Sequence, residues 1–211
     1  MDGYILLGAC QVELPHEAIR CKLNGEFLGD VAEEDMRFFT NLSTLDLSDN
    51  NLNLEHLDCL PNVVDLNLMC NKIVGIPQLT SGFQRLEVLN LSYNRIPASH
   101  ISNLAAIPKL SVLDLSSNDL ATLPDDMSKF KTLRELSLAS NAFSTDSVVY
   151  SASMLFQTLS TIPYLKKLVL ARNKLRGIHN EKLEENVFLH LSELDFSYNW
   201  VDSEQGLIPA T

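Results

Sequence analysis

Five histidines, four cysteines and 27 aspartates and glutamates are among the side chains of this 211-residue chain able to move protons, hold metals or attack electrophiles. None falls into the arrangement such chemistry requires. His16, His56, His100, His179 and His190 stand apart, with no partner at a recurring distance. Cys10, Cys21, Cys59 and Cys70 make neither a CxxC pair nor a mixed His/Cys cluster, so no metal site is expected. The GxxxxGK[ST], HExxH, GxSxG and GxGxxG signatures are all missing. Carboxylates abound, but paired acid–base work needs a pocket that desolvates one of them. The polar residue that does recur is asparagine. Asn50, Asn71, Asn94, Asn118, Asn141, Asn173 and Asn199 follow one another at steps of 21, 23, 24, 23, 32 and 26 residues. A side-chain amide both donates and accepts, which suits it to satisfying buried backbone groups rather than to catalysis. The expectation is a non-enzymatic protein that needs no cofactor.

Every one of these asparagines sits in the same eleven-residue phrase, LxxLxLxxNx(L/I/F/V). It reads LSTLDLSDNNL at 42–52, VVDLNLMCNKI at 63–73, LEVLNLSYNRI at 86–96 and LSVLDLSSNDL at 110–120. It continues as LRELSLASNAF at 133–143, LKKLVLARNKL at 165–175 and LSELDFSYNWV at 191–201. A repeat of 20 to 29 residues with this interior pattern resembles the leucine-rich repeat. The fourth and sixth positions of each phrase alternate with polar residues, the signal of a short strand with one buried face. Burying one such leucine stabilises by about 1.5–3 kcal/mol, yet a single coil cannot shield its own interior and must stack on neighbours. The fold expected is an α/β leucine-rich-repeat solenoid. A curved parallel sheet lines its concave side, and helices and extended turns form its convex side.

The solenoid divides into an N-terminal cap at 1–41, seven repeats at 42–201 and a short tail at 202–211. In the cap, Ile19, Cys21 and Leu23 alternate before the tight-turn pair Asn24-Gly25, and Asp30 is placed to cap a helix running to about Phe39. Residues 99–107 and 145–162 carry apolar side chains at helical spacing, and the longest step fits a helix over 146–159. Leu60-Pro61, Ile107-Pro108 and Ile162-Pro163 close three of the connectors, because proline disfavours helix at the residue before it. Residues 121–126 (ATLPDD) read as a tighter, extended turn. Ten residues after Val201 are too few for a substantial cap, so another chain or further sequence is expected to cover that end.

What this architecture exposes is a sheet about 30 Å long or more. Asp46, Asp49 and Asp65 form an acidic patch on its first coils, which Asp114 and Asp119 extend. Arg172, with Lys167 and Lys174, makes the sixth coil basic, and Tyr93, Tyr198 and Trp200 offer aromatic contact. One reading makes these residues a binding face for a protein partner with a basic segment, aromatics being enriched at binding hot spots. The other makes the acids a solvated surface and Trp200 a cover for the last coil. The net charge of −11 argues against direct binding of nucleic acid or anionic membrane. No apolar run reaches the ~18 residues that span a bilayer. Leu7-Gly8-Ala9-Cys10 has the outline of a lipoprotein box, but no basic residue or long apolar stretch precedes it. Reduced thiols and an intracellular setting are therefore expected.

Further stretches carry a narrower resemblance: KLNGEFL (22–28), RLEVLNLSYNRI (85–96), NLAAIPKLSVLDLSSNDLATLP (103–124) and YLKKLVLARNKLRGI (164–178). In this order they make the chain similar to the X-ray radiation resistance-associated protein family. The resemblance implies a cytoplasmic or nuclear protein without established enzymatic activity, and it supplies no catalytic residue. Members of that family are longer and end in an extended polar tail that this chain lacks. The function expected is an interaction scaffold, or alternatively a structural subunit of a ciliary or cytoskeletal assembly.

Overall fold

Each phrase contributes one three-residue strand whose middle leucine points inward and whose flanking residues point out. The computed structural model describes residues 1–79, 82–144, 152–176 and 188–200. Its strands are β1 (Arg20–Lys22), β2 (Thr44–Asp46), β3 (Asp65–Asn67), β4 (Val88–Asn90), β5 (Val112–Asp114), β6 (Glu135–Ser137), β7 (Lys167–Val169) and β8 (Glu193–Asp195). They form one parallel sheet in chain order. The register never slips, so Leu45, Leu66, Leu89, Leu113, Leu136 and Leu168 lie side by side. None of these six is more than 1% exposed. A one-residue shift would turn the leucines to solvent, which is why so short a strand keeps its place.

β1 lies within the cap, where Cys21 pairs with Leu45. The cap sequence AIRCKLNGEFL (18–28) fits the repeat template with Ala18, Cys21 and Glu26 in place of leucine, leucine and asparagine. The first coil is thus a degenerate copy of the repeat. Before it runs α1 (Gly3–Cys10), a helix the periodicity does not announce. The Asp2 carboxylate caps α1 by accepting the Ile5 N–H, and Gln11 in the left-handed conformation closes it. Its Leu6 is fully buried and α1 packs on β1, covering the first coil.

The helix expected from Asp30 to Phe39 is a single turn, α2 (Glu33–Met36), with Ala32 at its N-cap and no side-chain cap. Asp30 instead accepts the N–H of its neighbour Val31, and Asp35 accepts the Gly3 N–H, tying α2 to α1. Met36 and Phe39 both enter the core, so the chain turns towards β2 before a second helical turn can form.

The convex side is irregular. A 3₁₀ turn spans Leu54–Leu57, and α3 (Ala98–Ile101) passes directly into a 3₁₀ segment, Ser102–Ala106, where one continuous helix was expected. Residues 121–126 carry no helix, as their composition implies. α4 (Ala152–Ser160) buries Leu155 and Leu159, while the start of the expected 146–159 helix and the tail 202–211 lie outside the described residues. Leucines, isoleucines and phenylalanines from cap to sixth repeat make one continuous core, against which Leu191 and Phe196 of the seventh pack partly buried. Only at β8 does the pattern change: Leu194, the counterpart of the buried leucines, is 43% exposed.

Candidate protein-binding face

Two polar devices fix the shape of the concave face. The first is the asparagine column. Asn118 donates to the carbonyls of Leu91 (2.9 Å) and Leu115 (3.1 Å), while its Oδ1 accepts the Ile96 N–H (3.1 Å). Asn50, Asn71, Asn94, Asn141, Asn173 and Asn199 repeat the pattern. Each donates to a carbonyl of the preceding coil and accepts an N–H from it. Six of the seven are buried, and Asn199 on the last coil is half-buried. These amides satisfy backbone groups that the three-residue ladders leave behind.

The second device sits at the third residue of each strand, where the sequence pointed to partner-steering carboxylates. The Asp46 Oδ1 accepts the Ser48 N–H (3.1 Å), the Ser48 hydroxyl (2.8 Å) and the Asn67 amide (3.0 Å). Asp114 accepts the Ser116 N–H at 2.8 Å and the hydroxyl of the same serine. Asn67, Asn90 and Asp195 hold the N–H two residues on in the same way. Asp195 is held below the usual carboxylate range first by the Ser197 hydroxyl and then by its N–H. Asp46 and Asp114 thus serve as turn-forming residues while remaining part of the face. The signal was legible: Asp or Asn stands two residues before serine in DLS (46–48, 114–116), NLS (90–92) and DFS (195–197). Where Ser137 and Val169 replace it, the third residue is alanine.

The residue before each asparagine has a property its side chain does not reveal. Asp49, Cys70, Tyr93, Ser117, Ser140, Arg172 and Tyr198 all have φ between 53° and 59°. Each of the first six donates its N–H to a carbonyl of the next coil, at 2.8–3.0 Å. Those bonds hold non-glycine residues in a left-handed conformation that costs about 1–2 kcal/mol. Gly25 occupies the same position in the degenerate first coil.

The exposed groups are distributed unevenly over this frame. Asp49 is exposed and Asp65 half-buried on the two adjacent coils that also carry Asp46. Burial, and then the negative charge of Asp46, raises the Asp65 carboxyl above its ordinary value. Asp114 lies three strands from Asp46, about 14 Å away at the usual strand spacing, and Lys72 and Arg95 stand in the column between Asn51 and Asp119. The two acidic groups are therefore separate. Residues 1–65 hold 13 acidic side chains against three lysines and arginines, whereas residues 66–176 hold seven against 12.

At the far end the aromatics do not stand alone. The Arg172 guanidinium lies 4.3 Å from the centroid of the Tyr198 ring, and that of Arg176 lies 5.6 Å from Trp200. Lys167 pairs with Glu193 at 3.4 Å. Tyr198 and Trp200 remain 72% and 51% exposed, and Tyr93 is 62% exposed on the fourth strand's coil. These cation–aromatic stacks link coils that are neighbours only in the fold. The described residues form no group of three or more His, Cys, Asp or Glu placed to hold a metal, and none of their helices is long and apolar enough to cross a membrane.

Comparison with known proteins agrees with this frame. A leucine-rich-repeat family model matches residues 61–120 and 84–143, and a second matches 41–63. X-ray radiation resistance-associated protein 1 of Mus musculus is 28% identical over 193 residues, a match covering 83% of this chain and 24% of that protein. The chain thus spans about a quarter of that relative's length. Among solved structures, internalin C2 of Listeria monocytogenes superposes with a TM-score of 0.67 at 19% identity, covering 95% of this chain and 84% of that one. A leucine-rich-repeat protein of Leptospira interrogans gives 0.64 at 24% identity, covering 88% and 44%. At such identities the likeness establishes the fold alone. Leucine-rich-repeat folds generally serve as protein interaction modules. Seven phrases, one unbroken parallel sheet and these matches make the chain a leucine-rich-repeat protein that resembles the X-ray radiation resistance-associated protein family.

Proposed function

We propose that the protein is a non-enzymatic scaffold that binds a protein partner through its concave face, with Asp49 and Asp65 receiving a lysine or arginine of a basic segment. The observation that carries this reading is the clustering of Asp46, exposed Asp49 and half-buried Asp65 on two adjacent coils, where burial and the charge of Asp46 raise the Asp65 carboxyl. A carboxylate whose ionisation is opposed by its surroundings gains most from an arriving cation. Asp46 and Asp114 hold the turns that keep the face in shape, and Tyr93 lies farther along it as an apolar contact. Arg172, stacked on Tyr198, marks the opposite end of the face, and Asp119 belongs to a separate, more mixed region.

Affinity purification from cell extract with Asp49→Lys/Asp65→Lys tests the reading, since neither substitution removes a turn-forming carboxylate. Recovery of the specific partner should fall about tenfold or more, the usual consequence of a like-charge contact. Undiminished recovery by a folded variant would exclude this part of the face. Retention with sedimented microtubules instead of a soluble complex would favour the structural-subunit alternative.

A further inference from the structure

The fold brings two cysteines together that the sequence separates by a loop. Cys10 ends α1 and Cys21 is the middle residue of β1, and α1 packs directly on that strand. Cys10 packs against the core cluster to which Cys21 belongs, and its thiol is near enough to raise that of Cys21. Cys21 is 2% exposed within the core, while Cys10 is half-exposed at its margin. The other two thiols are differently placed. Cys59 donates to the His56 carbonyl at 3.3 Å, and Cys70 is exposed on the concave side.

We infer that Cys10 and Cys21 form a dithiol oxidation site, closed to an intramolecular disulfide by small-molecule disulfides such as oxidised glutathione. Half-exposed Cys10 is the entry point. Its thiolate attacks one sulfur of the oxidant, releasing one glutathione thiolate and leaving a mixed disulfide at Cys10. The Cys21 sulfur, losing its proton as it attacks, then displaces the second glutathione from Cys10. Two thiol protons and two electrons pass to the oxidant, which leaves as two reduced glutathione molecules. Burial first, and then the neighbouring Cys10 thiol, push the Cys21 thiol up to about 12. In the mixed disulfide Cys10 is no longer a thiol and burial remains to oppose ionisation of Cys21, so the second step quickens as pH rises. The bond would fasten the end of α1 to the first strand, so that the cap no longer detaches independently of the coils.

The folded chain, incubated with a tenfold excess of oxidised over reduced glutathione, tests this directly by mass spectrometry. Intact mass should fall by about 2 Da from the reduced chain. A tryptic digest should contain residues 1–20 joined through sulfur to the dipeptide Cys21-Lys22. Cys59→Ser/Cys70→Ser, which retains only the proposed pair, should behave identically, and oxidation should raise its Tm by about 5 °C. Cys10→Ser should block the 2 Da loss. Permanent glutathione on Cys10, crosslinking only through Cys70, or bond formation only after unfolding in urea would each overturn the proposal.

Discussion

At the scale of single residues, the same amide does in seven places what no strand can do. Asn118 joins Leu91, Ile96 and Leu115, so its removal orphans groups on two coils at once. Asn118→Ala should lower stability by about 1–3 kcal/mol, the cost of unsatisfied buried polar groups, as read from urea unfolding. Asp65 behaves in the opposite sense. Its carboxyl titrates above the ordinary value because burial, and then Asp46, disfavour the charged form. The folded protein therefore carries a penalty that is absent below the ordinary carboxylate range and grows as pH rises through the raised pKa. Asp65→Asn should raise Tm by about 1 °C at pH 7, solvent screening having reduced the effect, and leave it unchanged near pH 3. A variant less stable at neutral pH would contradict that origin of the shift.

At the scale of elements, the two ends of the sheet are finished differently. α1 seals β1 with the fully buried Leu6, whereas Leu194 on β8 is partly exposed among the described residues. Leu6→Ala should cost about 2–5 kcal/mol, the range for emptying a packed leucine site, and hydrogen exchange should speed first at 20–23 rather than at β5. Uniform acceleration along the sheet would mean that α1 is not a local seal. The short strands also explain why connectors vary so freely. A 3₁₀ turn, a broken helix and the longer α4 all return the chain to one register, since the asparagine and Asx turns fix the exit from each strand.

At the scale of the whole molecule, charge is segregated along the chain, −10 over residues 1–65, +5 over residues 66–176 and −6 over residues 177–211. Opposite charges far apart on one frame cannot neutralise each other beyond the Debye length, about 8 Å in physiological salt. Among the described residues, one ion pair joins a lysine to an acid, and the others involve His56. Binding through the acidic first coils should therefore depend on salt. Association with a basic partner should weaken about tenfold or more between 50 and 500 mM NaCl, mainly through a slower on-rate, in surface plasmon resonance. An affinity indifferent to salt would move the contact to the aromatic positions.

The repeating phrase alone determined the architecture. Leucines at positions four and six and an asparagine at nine leave one way to bury an apolar stripe and satisfy the turn that follows it. The asparagine column and the inward leucines were readable one by one, because their role is set within eleven residues and by identical neighbours. The surface was not so readable. Whether Asp46 or Asp114 faces a partner or its own turn depends on where Ser48, Asn67 and Ser116 point their donors. Whether Tyr198 and Trp200 are bare depends on arginines 26 and 24 residues earlier. α1 escaped notice because its apolar residues, Tyr4 to Leu7, run continuously instead of marking one face. Cys10 and Cys21 became neighbours only when α1 folded onto β1. Such pairings are properties of stacked coils and packed elements, and spacing along the chain does not encode which exposed groups meet across them.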